Sequence, residues 1–175
     1  GKPRAPAPLR GLYLWGDVGR GKTFLVDEFF AELPIRRKRR EHFHRFMQDV
    51  HAGLRRHRDR PSPLAHVAAG IADKTQLLCV DEFVVGDVAD AMILAALLEA
   101  LFARGVTLVV TSNLPASGLY RGGLQRARFL PAIALIERHC KVLELDGGVD
   151  YRLRQLESAQ LFLGADVPQA ETRLA

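Results

Sequence analysis

The strongest constraint on this chain is the octapeptide Gly16-Asp17-Val18-Gly19-Arg20-Gly21-Lys22-Thr23, which fits G-x-x-x-x-G-K-[ST]. Its flanks suit the motif. Residues 11–15 (GLYLW) form a short apolar run that predicts a buried strand, and residues 24–30 (FLVDEFF) predict a helix that stops near Pro34. A strand, a Gly-rich turn and a helix start together make a phosphate cradle. Glycines let backbone N–H groups approach phosphate oxygens without a Cβ in the way, and the helix N-terminus adds partial positive charge. In such a cradle residues 16–23 surround the phosphates. Lys22 reaches the β- and γ-phosphates, and the Thr23 hydroxyl is a magnesium ligand.

The remaining hydrophobic pattern extends this into a fold. Strands are expected at 11–16, 41–46, 77–81, 107–112 and 140–145. Helices are expected at 21–32, 47–58, 64–73 and 88–104, and a helical stretch interrupted near Pro131 at 122–139. Alternating strands and helices predict an α/β domain with a parallel five-stranded sheet covered by helices on both faces. Asp87 is placed to cap the 88–104 helix and Gly105 to end it. That helix is apolar on most sides, which predicts a second surface to cover, such as a subunit contact.

The acidic partner of a phosphate cradle is expected at the end of another strand. Asp81-Glu82 closes the apolar run 77–80, about sixty residues beyond Lys22. In this pattern Asp81 holds Mg²⁺ and Glu82 orients and deprotonates the attacking water. The 107–112 strand ends in Thr111-Ser112-Asn113. Ligands of open α/β sheets sit beyond the carboxyl ends of the strands, so Asn113 is the candidate sensor of the γ-phosphate if its strand lies between the other two. Arg121, Arg126 and Arg128 follow, with Arg126 the first choice for an arginine that reaches a neighbouring subunit's nucleotide. His42, His44 and His51 lack the Cys or carboxylate that would complete a metal set. His42 and His44 are expected on one face of a strand.

Composition narrows the function class. The 175 residues suit a single domain, and 48% hydrophobic with 26% charged residues is ordinary for a globular protein. No stretch of about 18 uncharged apolar residues is present, so no membrane span is expected. Cys79 and Cys140 both fall in apolar runs and are expected as buried free thiols. The formal charge of +5 is concentrated in Arg36-Arg37-Lys38-Arg39-Arg40 and Arg55-Arg56-His57-Arg58-Asp59-Arg60. These are either solvated faces or surfaces for a polyanion.

Several segments resemble the ZapE-type ATPases, bacterial cell-division ATPases with mitochondrial relatives linked to protein quality control. They are 11–16 (GLYLWG), 42–47 (HFHRFM), 78–83 (LCVDEF), 87–94 (DVADAMIL), 111–113 (TSN), 123–126 (GLQR), 129–133 (FLPAI) and 150–154 (DYRLR). The resemblance implies a P-loop NTPase fold with an AAA+-like core, ATP and Mg²⁺ as cofactors, and ATP hydrolysis. It also implies a cytoplasmic bacterial location and the division-ring protein FtsZ as partner. Lys22, Thr23, Asp81, Glu82 and Asn113 take the Walker and sensor positions. Two departures stand out. Asp17 occupies a place that is mostly glycine in the family. The family's chains also continue into a helical lid, so 156–175 is expected to be the start of a truncated segment, with weak turnover as the consequence. Residues 11–155 are then the ATPase core and 1–10 a Pro-rich linker or boundary segment.

Other functions built on the same core are a nucleic-acid-stimulated ATPase such as a helicase loader, and a nucleotide-gated binding module with little turnover. A small-molecule kinase is the weakest fit. A homo-oligomer follows only if an arginine acts between subunits.

Overall fold

A computed structural model describes residues 9–17 and 21–145. In chain order the elements are β1 (Gly11–Trp15), α1 (Lys22–Glu32), β2 (Lys38–His42), α2 (Phe43–Arg56), α3 (Pro63–Lys74), β3 (Leu77–Asp81), α4 (Val88–Ala103) and β4 (Thr107–Ser112). A short 3₁₀ turn (Ala116–Gly118), α5 (Arg126–His139) and β5 (Cys140–Glu144) follow. The five strands form one parallel sheet in the order β2-β3-β4-β1-β5. β4 therefore lies between β1 and β3.

Strand alternation sorts the core into two layers. Tyr13, Leu78, Val80, Leu108 and Val110 face the larger layer, with Phe46 and Met47 of α2, Ala68 of α3, Leu94 and Leu98 of α4 and Ile136 of α5. Leu12, Leu14, Leu77, Cys79 and Val109 face the opposite side, where α1 contributes Leu25, Val26 and Phe29. Covering on both faces explains why β3 and β4 are unbroken apolar runs.

Four expectations need correction. The second strand spans 38–42, not 41–46, and Phe43 starts α2. Phe43, Phe46, Met47, Val50 and Gly53 recur at helical spacing and are all buried, so a core-facing helical stripe runs from Phe43 onward. His42 thus ends a strand while His44 lies on α2 beside Gln48, and the two do not share a strand face. The last helix begins at Arg126, not 122, and runs through Pro131 without interruption. Gly122 has φ +72°, a left-handed turn ahead of the helix. Finally, the apolar helix α4 packs between α3 and α5 of its own chain, burying Leu94, Leu97, Leu98 and Leu101, so its second apolar surface has an intrachain partner. Asp87 caps it as expected, accepting from the Ala89 N–H at 2.6 Å.

Candidate functional site

The carboxyl ends of β1, β4 and β3 are neighbours in the sheet, and the backbone ties them together. The Gly16 N–H donates to the Ser112 carbonyl at 3.2 Å, and the Phe83 N–H donates to the Thr111 carbonyl at 2.8 Å. A Cβ at Gly16 would lie 2.6 Å from the Leu145 carbonyl oxygen, so the residue that opens the cradle must be glycine for β1 and the end of β5 to sit this close. Gly21 adopts φ +79° directly before α1, a conformation that favours glycine. Val18, Gly19 and Arg20 lie outside the described residues.

Lys22 folds back over the start of the loop, donating from Nζ to the carbonyls of Gly16 at 2.7 Å and Asp17 at 2.9 Å. Partial burial lowers its pKa, against an opposing pull from Asp17. Asp17 itself is exposed.

The short polar run after β4 is divided among distinct tasks. The Thr111 hydroxyl donates to Asp81 Oδ1 at 3.2 Å and accepts from the Glu82 N–H at 3.1 Å. The Ser112 hydroxyl donates to the Phe83 carbonyl at 3.0 Å and accepts from the Leu114 N–H at 3.2 Å. Tyr13 Oη donates to the Leu114 carbonyl at 2.7 Å, and burial pushes its phenol up to about 12. These bonds fix the corner while Asn113 stays exposed at the strand end. Glu82 sits at φ +52°, a strained backbone for a long side chain, between Asp81 and the buried Phe83. Its carboxylate is solvent-exposed, with Oε2 3.6 Å from Nδ1 of His42.

A cavity of about 410 Å³ opens here, lined by Thr23, Asp27, Arg40, Glu41, His42, Asp81 and Glu82. It joins the start of α1 to the ends of β2 and β3. Sequence reasoning gave no site role to three of its members, Arg40, Asp27 and Glu41. Arg40 Nε donates to Asp81 Oδ2 at 2.6 Å, and Arg40 Nη1 pairs with Asp27. Burial alone would lower the Arg40 pKa, but Asp81 and Asp27 override it and raise the value. Asp27 could have been found, because it stands four residues after Thr23 and shares its helix face. Arg40 could not, because its role depends on β2 pairing with β3.

Four of the five residues of the first basic cluster, Arg37 to Arg40, are engaged within the chain. Alternation turns Lys38, Arg40 and His42 towards the α1 side and Arg39 and Glu41 towards α2. Lys38 donates to the Phe30 and Leu33 carbonyls, and Arg39 pairs with Glu41 and Asp49. Arg37 donates to the Ala72 and Asp73 carbonyls at the C-terminal end of α3, where the helix dipole is negative.

Arg126 is engaged within its own chain, donating from Nη2 to the carbonyls of Ser117 at 2.8 Å and Leu119 at 3.2 Å. Arg128 pairs with Gln125, and Arg121 is exposed. His51 lies apart from this corner, 2.6 Å from Asp90 of α4. Cys79 and Cys140 are free and buried, each pushed up to about 12 by burial.

The sequence profile of the AFG1-like ATPases matches residues 1–175. The chain belongs to the AFG1-like ATPase family. It is 57% identical over 156 residues to the cell division protein ZapE of Escherichia coli K12, covering 89% of this chain and 42% of that protein. It is 44% identical over 180 residues to lactation elevated protein 1 homolog B of Danio rerio, covering 95% of this chain and 35% of that one. The chain thus spans less than half the length of these relatives. Among solved structures, domain III of the Thermotoga maritima replication initiation protein DnaA aligns with TM-score 0.59 at 16% identity, over 94% of this chain and 67% of that one. The DnaC helicase loader aligns with TM-score 0.52 at 15% identity, over 82% of each. At these identities the likeness is one of fold alone. Among the described residues no helix is long and apolar enough to cross a membrane.

Proposed function

We propose that this domain binds Mg·ATP at residues 16–23 and hydrolyses it, and that the nucleotide state alters its hold on a protein partner. The reading is best supported by the sheet order, in which the strands that lead into Lys22, Asp81-Glu82 and Asn113 are adjacent. The donors suit a magnesium ion. Asp81 and Thr23 offer hard oxygens to one cavity, and a cation, the Arg40 guanidinium, is already drawn to the Asp81 carboxylate. When bound, the ion supplies charge neutralisation on the phosphate oxygens.

The protein's own groups account for the rest of this reading. Lys22 exchanges the Gly16 and Asp17 carbonyls for phosphate oxygens. Glu82, exposed and carried on a strained backbone, accepts a proton from the attacking water. Asn113 orients that water from the strand between the cradle and the acid. An arginine from a second copy completes the charge neutralisation. Arg126 is the candidate for that role once it leaves its two carbonyls, and Arg121 and Arg128 are the alternatives.

The relative named as a cell division protein supports a partner in the division apparatus, with FtsZ the specific choice and the bacterial cytoplasm the setting. The nucleic-acid alternative loses support from the first basic cluster, where Arg37, Lys38, Arg39 and Arg40 all have partners within the chain.

The decisive experiment is Glu82→Gln in the full-length protein, assayed for ATP binding and phosphate release with and without FtsZ filaments. Binding should persist while hydrolysis falls about 10²–10³-fold, within the range for losing a general base. Hydrolysis at the parental rate would refute the assignment.

A further inference from the structure

We propose that Arg40 is the resident counter-cation of Asp81, bridging it to Asp27, and that this bridge sets how much magnesium the site demands. The inference rests on the reading of Asp81 as the metal-binding carboxylate.

The geometry is specific. Arg40 Nε lies 2.6 Å from Asp81 Oδ2, while Nη1 of the same guanidinium pairs with Asp27 on α1. The Arg40 and Asp81 side chains are only 18% and 13% exposed, so water screens this pair weakly. The other Asp81 oxygen is held by the Thr111 hydroxyl. Both oxygens of the carboxylate are therefore engaged, one of them by a full positive charge. A guanidinium and a divalent cation on the same carboxylate repel each other, and most strongly where the surroundings are poorly polar. Metal and arginine therefore compete for Asp81. Asp27 keeps a second anchor for the guanidinium, so Arg40 can yield Asp81 without losing every partner.

A lysine could not build this bridge, because an ammonium is a single point charge and the planar guanidinium presents donors in two directions. A purely structural ion pair would affect stability alone. A competing cation also affects the response to magnesium, and the test separates the two.

The melting temperature of the nucleotide-free full-length protein is measured over a Mg²⁺ titration for wild type, Arg40→Gln and Arg40→Lys. A fluorescent ATP analogue then gives the Mg²⁺ concentration needed for half-maximal nucleotide binding. Mg²⁺ alone should raise the melting temperature of Arg40→Gln more than that of wild type, as expected for a ligand that binds the folded state. The half-saturating Mg²⁺ should fall about tenfold in Arg40→Gln, the scale of one charge-assisted hydrogen bond. It should fall severalfold in Arg40→Lys, which keeps the charge and remains a test if the glutamine variant does not fold.

Identical Mg²⁺ dependence in all three proteins would overturn the proposal and leave Arg40 structural. A lysine variant indistinguishable from wild type would overturn it as well, because net charge rather than the bridge would then be responsible. Absence of ATP binding by wild type at saturating Mg²⁺ would instead remove the nucleotide reading, while the melting experiment with Mg²⁺ alone still decides the role of Arg40.

Discussion

Lys22, at the start of α1, and Arg40, in the middle of β2, are both partly buried cations, and the protein holds them in opposite ways. Lys22 rests on two backbone carbonyls, and burial lowers its pKa. Arg40 rests on two carboxylates, which raise its pKa despite burial. The first cation has neutral partners, which under the proposed function it exchanges for anionic phosphates. The second is already neutralised and forms part of the folded framework. The contrast teaches that positive charge near a phosphate site need not be phosphate-binding charge. Partner type separates the two roles better than residue type does.

The largest effect expected from this contrast is that of Lys22→Ala. Nucleotide affinity should fall by at least about hundredfold, the consequence of losing charge-assisted bonds to phosphate. Stability in urea should stay within about 0.5 kcal/mol of the parent, because only bonds to partly exposed carbonyls are lost. Titration with a fluorescent ATP analogue and an unfolding curve on the same sample check both parts. A variant that loses stability while retaining affinity would invert the comparison.

Thr111→Val probes the framework side. Its hydroxyl serves Asp81 Oδ1 and the Glu82 N–H together, and Thr111 is only 5% exposed. Valine keeps the shape and leaves both groups without that partner. The expected cost is about 2 kcal/mol, from the penalty for unsatisfied polar groups in a partly buried place. Chemical denaturation measures it. An unchanged midpoint would mean that Arg40 and the Phe83 N–H bond hold the corner without Thr111.

The same contrast explains what could be read from the chain alone. β1, β3 and β4 were legible because each is an apolar run covered on both faces, and their tips could be aligned from strand–helix alternation. β2 was misplaced by three to four residues because four of its five residues, Lys38, Arg39, Arg40 and Glu41, are charged. An edge strand with that composition resembles a solvated loop until its neighbours are known. The charges are tolerated because α1, α2 and β3 supply an acceptor for Lys38, Arg39 and Arg40 in turn. Asp81 and Glu82 stood out by their position after an apolar run, whereas Arg40 and Thr111 act through contacts made across the sheet. Such contacts follow strand order and register, which no local pattern encodes. The start of α2 was missed as well. Phe43 and Phe46 are three residues apart and fit helical rather than strand spacing, and the longer series through Val50 and Gly53 makes the helical stripe plain.

The smallest expected effect is a pH dependence that separates the two cations. Lys22 titrates below its ordinary value of 10.5, with burial as the main cause, whereas the Arg40 value is raised. As alkaline pH rises through the depressed Lys22 value, the free protein loses the ammonium on which the proposed nucleotide binding rests. The Arg40 guanidinium stays charged over the same range. Affinity should therefore decline before pH 10.5, by at most about tenfold per pH unit, the limit for one proton linked to binding. The fold imposes its own ceiling on this experiment. Burial holds Tyr13, Cys79 and Cys140 near 12 against ordinary values of 10.0, 9.0 and 9.0. Because their folded values are raised, the stability they contribute is intact below about pH 9 and is lost as pH climbs towards 12. Binding must therefore be read alongside circular dichroism, with Lys22→Arg as the control. Arginine keeps its charge throughout, so any affinity that remains in that variant should be flat where the parent declines. A parallel decline in both would assign the pH effect to loosening of the fold and remove Lys22 from this part of the comparison.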